Sequence, residues 1–180
     1  GWPLAWGYRS GCQNPDWQRW RLGWRLQWRW PDGKIAKREV IRHQGAVALI
    51  ALDDQQNVLL VRQFRVGAQQ TMLEIPAGLL EPGEVPESCA VRELQEETGY
   101  RPEQLEDLGG FYPTPGYTTE YIHLYLATRL HEDRLAADDD EFIELVRLPL
   151  SEALAQIERG AIVDSKSIIG LLRVARRLGI

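Results

Sequence analysis

The stretch from Gly78 to Tyr100 constrains this chain more than any other, because it sets an awkward charge pattern inside a well-bounded helix. Pro86 suits a first helical turn, Glu87 sits beside the positive end of the helix dipole, and Gly99 follows the last turn. These signals predict a helix over 86–98. On it Glu93, Glu96 and Glu97 stand at i, i+3 and i+4, so three carboxylates share one face. Like charges at that spacing repel, and the helix gains nothing from them. Arg92 is adjacent but points elsewhere on a helical wheel. Glu84, just ahead of the helix, is within reach to hold it. Three clustered carboxylates without lysine partners suit a hard divalent cation, Mg²⁺ or Mn²⁺. The plain alternative is a solvated acidic face.

The flanking patterns predict one α+β domain. Gly45–Leu52 is an apolar, β-rich run, closed by the polar turn 53–57, and Val58–Gln63 returns as the next strand. Met72–Ile75 ends at Pro76. Phe111 and Tyr112 end another extended stretch, Tyr121–Arg129 alternates, and Phe142–Leu148 is a further strand. Ser151–Glu158 and Ser165–Leu178 carry helical patterns. From Trp20 to Trp30 apolar and polar residues alternate with period two. Trp17, Trp20, Trp24 and Trp28 also fit a helical spacing, but the turn signal Pro31-Asp32-Gly33 and the extended 35–42 stretch favour an N-terminal β-hairpin. The expected organisation is an unassigned segment 1–15, a hairpin 16–42 and a main domain 43–180.

Composition removes several function classes. The net charge of −5 disfavours a nucleic-acid binder that relies on bulk positive charge. The longest apolar run, Ala46–Leu52, is too short to cross a bilayer. Cys12 and Cys89 form no CxxC pattern, which argues against a disulfide scaffold or a cysteine zinc site and fits a reducing, cytoplasmic setting. The chain starts at Gly1 and its one Met is Met72, so a native start is expected to be missing, and the first residues are set aside. All seven Trp lie in the first 30 residues. So large an apolar stripe is an aggregation liability on a free monomer, and predicts a homodimer.

The residues Gly78, Glu84, Arg92, Glu93, Leu94, Glu96, Glu97 and Gly99 resemble the box of the Nudix hydrolases. Tyr100 departs from the usual aliphatic residue at a position that packs. The resemblance implies an α/β/α sandwich around a mixed sheet, and hydrolysis of a nucleoside diphosphate linked to another moiety. It also implies one to three Mg²⁺ or Mn²⁺ ions held by Glu93, Glu97, nearby Glu96 and the carbonyl of Ala77, with Glu84 and Arg92 bracing the helix. More of the chain resembles the ADP-ribose pyrophosphatase branch. Val61-Arg62-Gln63-Phe64-Arg65, Glu74-Ile75-Pro76-Ala77-Gly78 and Pro115-Gly116-Tyr117-Thr118-Thr119-Glu120 match its motifs, and Asp164-Ser165-Lys166-Ser167 is similar to the start of its last helix.

By that resemblance Arg65 and Glu74 belong to the substrate site, Arg65 on phosphate. Glu120 contacts the terminal ribose, and Pro115 and Gly116 shape the loop around it. A general base is expected on the acidic loop 136–141, Glu141 first and Asp139 second. In the branch a hairpin crosses to a second subunit, and here Trp24 or Trp28 would stack on adenine. His43, His123 and His131 are read as structural or exposed, and Cys89 as core. The implied substrate is ADP-ribose, yielding AMP and ribose 5-phosphate. GDP-mannose, another nucleotide sugar and NADH are the nearest rivals. A non-catalytic ADP-ribose-sensing module is the rival from another class. Such modules usually lose the box glutamates, which this chain keeps.

Overall fold

The computed structural model describes residues 23–135 and 143–180, with the backbone alone for 23–26 and 28. Two strands, β1 (Gly23–Arg29) and β2 (Ile35–Ile41), form a separate antiparallel hairpin that sets Trp24 opposite Val40 and Trp28 opposite Ala36. Its turn closes with the Gly33 amide donating to the Trp30 carbonyl at 2.9 Å, Gly33 at φ +86°. The glycine is needed there because an L side chain rarely adopts that region.

The main sheet is built on β3 (Ala46–Leu52), buried along its whole length. Its alternation sorts side chains onto two faces. Ala46, Ala48, Ile50 and Leu52 join one core, with Leu150 and Ala153 of α2 (Leu150–Glu158) and Leu171 and Val174 of α3 (Ser165–Leu178). Val47, Leu49 and Ala51 join the other, with Cys89, Ala90 and Leu94 of α1 (Pro86–Thr98). That is the expected α/β/α sandwich. The sheet is mixed: β3 runs parallel to β8 (Ile122–Glu132), which pairs antiparallel with β7 (Tyr100–Phe111).

On the other side of β3 the sheet splits. β4 (Asn57–Arg65) pairs with β3 only at Val58 and Leu59, then leaves it to pair with β5 (Gln70–Glu74). The first half of β3 pairs instead with a short β6 (Ala77–Leu79). Residues 75–76 cross the fork, with Ile75 fully buried. Backbone N–H groups in a fork have no neighbouring strand to bond, and buried ones must find another partner. Two side chains supply it from opposite faces. Ser167 Oγ on α3 accepts from the Ile75 amide at 2.9 Å, and Glu97 Oε2 on α1 accepts from the Ala77 amide at 3.0 Å. Pro76, between them, has no N–H to satisfy.

The expected elements recur with small shifts. The helices over 86–98 and 165–178 match residue for residue, and the last strand, β9, runs Glu144–Pro149 and pairs with β4. The sequence patterns did not disclose β6. Three residues are too few for a period, and the strand exists because β4 vacates that edge of β3. The segment 1–15, the hairpin's expected start at 16 and the acidic loop with Asp139 and Glu141 fall outside the described residues.

Candidate active site

The acidic row of α1 lies along β6. Glu97 meets the Ala77 amide, Glu93 lies against Gly78, and the Arg92 Nη2 donates to the Leu79 carbonyl at 3.2 Å. The Gly78 contact is the tightest. A Cβ there would fall 1.8 Å from the Glu93 carboxyl carbon, with its two oxygens at 2.0 and 2.1 Å. Gly78→Ala is therefore expected to keep the fold, because the flexible end of Glu93 can swing away. Turnover should nevertheless fall about 100-fold, since Glu93 no longer sits beside β6. Thermal melting beside steady-state rates checks the split. Full activity would show that Glu93 is not needed in that position.

Arg92 corrects the helical-wheel reading. Its guanidinium does not point away from the acidic face but serves it. Nε and Nη2 each donate to Glu84 at 2.9 Å, and Nη1 donates to Glu93 at 2.8 Å and to Glu96 at 2.9 Å. A wheel places the Cβ, whereas a long side chain, three methylenes ending in a planar fork, folds back over its neighbours. Hydrogen bonds from Arg92 hold the Glu84 carboxyl down at about 2, against an ordinary 4.5. A carboxyl depressed on folding stabilises above its unfolded pKa and loses that contribution as pH falls through the folded value. Glu84→Gln should thus cost about 2 kcal/mol near pH 6, and the gap should close between pH 4.5 and 2. Urea melts across that range test it. A gap independent of pH would contradict it.

Burial pushes the Cys89 thiol up to about 12, with Glu84 and Glu93 adding to the shift, so Cys89 is the inert core residue the sequence suggested. Tyr100 packs against the same core, and its hydroxyl accepts from Arg147 at 3.0 Å.

Glu84, Glu93 and Glu96 thus share the Arg92 guanidinium, and Glu97 stands beside them on α1, bonded to the Ala77 amide. The donor set is all hard oxygen and the excess charge is negative, which fits a divalent cation. Among the described residues no three acidic, His or Cys side chains are already drawn around one point. Arg92 holds Glu93 and Glu96, so a cation bound here would share those carboxylates with it.

Arg65, at the end of β4, reaches the same region. Its Nε and Nη2 clasp Glu74 at 2.9 and 2.7 Å, and its side chain is still 42% exposed. That hydrogen-bonded clasp raises the Arg65 pKa above the ordinary guanidinium value, and the charges of Glu97 and Asp164 add to it. Glu74, expected in the substrate site beside Arg65, is only 1% exposed and lies behind the Arg65 guanidinium. The two motifs that supply these residues do not say which of the pair faces outward.

Glu120 lies two residues before Ile122, which pairs with Ala46, and Ala46 pairs with Leu79 on its other side. The start of β3 therefore brings the 115–120 loop and the box to one end of the sheet. Pro115 and Gly116 form an exposed turn there. His43, by its scattered position in the sequence, is expected to be structural or exposed. It stands 3.8 Å from Glu120 through Nε2 and accepts from the Gly45 amide at Nδ1, 3.1 Å. The end of β2 docks on the same loop, with the Ile41 amide donating to Tyr117 at 2.7 Å and the Thr119 amide donating to Ile41 at 2.9 Å. No spacing rule in the sequence signals either contact. A separate cavity of about 230 Å³, lined by Arg62, Met72, Leu73, Val146 and Leu148 among others, shares no residue with the acidic row.

The family model described as NUDIX domain matches residues 42–169. A protein named Methanol dehydrogenase activator from Bacillus methanolicus is 47% identical over 143 residues, covering 78% of this chain and 77% of that one. An ADP-ribose pyrophosphatase of Bacillus subtilis (strain 168) is 43% identical over 139 residues, covering 76% and 75%. A GDP-mannose pyrophosphatase of Cronobacter sakazakii is 38% identical over 160 residues, covering 81% and 82%. The crystal structure of an ADP compounds hydrolase superposes with a TM-score of 0.80 at 25% identity, over 87% of this chain and 85% of that one.

Proposed function

The chain belongs to the NUDIX family, and from that we propose that it hydrolyses the diphosphate of ADP-ribose, water entering to give AMP and ribose 5-phosphate. The observation behind this reading is Glu93 and Glu97 lying along β6, with Glu96 held beside them by Arg92 and Arg65 close enough to feel the charge of Glu97. The similarity to an ADP-ribose pyrophosphatase supports the choice of substrate.

Glu93 and Glu97, with Glu96 and the Ala77 carbonyl, would hold one to three divalent ions, Mg²⁺ or Mn²⁺. Such ions neutralise phosphate oxygens and lower the pKa of a bound water. Arg65 contributes a planar fork of donors to a phosphate oxygen, a geometry a lysine does not offer. Arg92 and Glu84 keep the acidic row in place. Glu120 accepts from hydroxyls of the terminal ribose, and the Pro115–Gly116 turn closes around it. Glu141, or else Asp139, orients the attacking water and takes its proton. The molecule acts as a cytoplasmic homodimer through the 16–42 hairpin, and Trp24 or Trp28 stacks on the adenine of the partner's site.

The similarity to a GDP-mannose pyrophosphatase favours one alternative, another nucleotide sugar as substrate. Rates on ADP-ribose, GDP-mannose and NADH, compared as kcat/KM at saturating Mg²⁺, decide between them. ADP-ribose is expected to lead by about tenfold or more, a difference of about 1.4 kcal/mol in transition-state binding. A lead for either competitor overturns the substrate assignment and leaves the reaction class standing.

A further inference from the structure

Behind Arg65 lies a set of charges that the reaction does not itself require. Glu74 accepts from Arg65 on one side and from Lys166 Nζ on the other. Lys166 is 8% exposed and also donates to Asp164 Oδ2 at 3.0 Å. The same Asp164 oxygen caps α3, accepting from the Ser167 amide at 3.0 Å and the Ser167 hydroxyl at 2.6 Å. Two cations and two anions therefore alternate from β4 through β5 to the first turn of α3.

Burying a lysine is costly, and apolar residues of similar volume commonly hold a fold at least as well. Nor does α3 need the charges for docking. Its Gly170 already lies so close to the sheet that a Cβ would come within 2.8 Å of Ile50 and 3.1 Å of Ile75. What the quartet adds is orientation. A carboxylate gripped by one guanidinium alone can tilt with it. Gripped by Lys166 on the Oε2 side as well, Glu74 presents its oxygens in one plane, and the Arg65 fork can lie on them in only one way. The remaining Arg65 donors then stay on the exposed side, free of the Glu74 clasp.

We propose that Lys166 is a positioning residue for the diphosphate, acting through Glu74 to fix the Arg65 fork. This rests on the reading that Arg65 contacts phosphate, and it extends the substrate site to the start of α3.

A double-mutant cycle on the full chain tests it, with ADP-ribose as substrate at saturating Mg²⁺. Lys166→Met should raise KM about tenfold and leave kcat within about threefold, the pattern of lost binding rather than lost chemistry. Arg65→Ala should raise KM by at least as much. The double variant should be no worse than Arg65→Ala alone, because Lys166 has no route to the substrate once Arg65 is gone. Lys166→Arg, which keeps the cation, should stay within about threefold of the parent. Should the Met variant not fold, Lys166→Gln against Lys166→Arg replaces it, with the KM rise expected only for Gln. Losses that multiply in the double variant, or a KM within twofold of the parent for Met or Gln, overturn the proposal. An unchanged KM in Arg65→Ala overturns the phosphate role of Arg65 and the proposal with it. A parent chain that leaves ADP-ribose intact refutes the substrate assignment instead, and the cycle is then read on the nucleotide sugar that the chain does cleave.

Discussion

Replacing Glu97 by Gln is expected to lower kcat about 1,000-fold while the protein folds normally. The two halves of that expectation have separate causes. Glu97 Oε2 accepts the Ala77 amide in the fork of the sheet, and a Gln carbonyl can accept the same bond at the same place. The fold therefore keeps its link between α1 and β6. What Gln lacks is the negative charge that attracts a divalent cation. Loss of one anionic oxygen ligand at a hydrolytic site is worth several kcal/mol, and about 4 kcal/mol corresponds to the stated rate loss. Circular dichroism and melting temperature should match the parent to within a few degrees. A variant that melts normally and keeps more than a tenth of the parent's kcat at saturating Mg²⁺ would remove Glu97 from the metal site.

Arg92→Met is expected to produce the largest loss of stability. The methionine keeps length and apolar bulk but removes the guanidinium that serves Glu84, Glu93 and Glu96. Deleting one partner of a largely buried ion pair strands the other, at a cost of about 3 kcal/mol here, given that Arg92 is 25% exposed. For a domain of this size that is a fall of about 10 °C in Tm. The deficit should shrink as Mg²⁺ is added. A cation that binds only the folded chain stabilises it by mass action, and it binds more tightly once the competing guanidinium is gone. Melting curves of both proteins at zero and at millimolar Mg²⁺ provide the comparison. Equal Mg²⁺ responses in the two would mean that Arg92 and the cation do not share the carboxylates.

Much of this architecture is legible along the chain because local signals and tertiary demands agree. Pro86 and Gly99 bracket α1, Gly99 adopting φ +79° as a C-cap does. Asp164 caps α3 through the Ser167 amide. The alternation in β3 feeds two cores at once, so a run that reads as uniformly apolar is a central strand. What escapes the sequence depends on three-dimensional neighbours. β6 forms because β4 veers off to β5, and no residue of Ala77-Gly78-Leu79 announces a strand. The direction of Arg92 follows from where Glu84 is held, and the burial of Glu74 from the arrival of Lys166, 92 residues later. The docking of Ile41 on the loop that bears Glu120 is likewise a backbone event, invisible to side-chain patterns.

The acidic row on α1 as a divalent-cation site for diphosphate hydrolysis is the claim on which the rest depends. Its most direct test is AMP release from ADP-ribose by protein first stripped with a chelator and then supplied with Mg²⁺ or Mn²⁺. The expected result is negligible turnover after stripping, and recovery on adding the ion, with AMP and ribose 5-phosphate in equal amounts. Turnover that survives stripping, or none at millimolar concentrations of either ion, would contradict it.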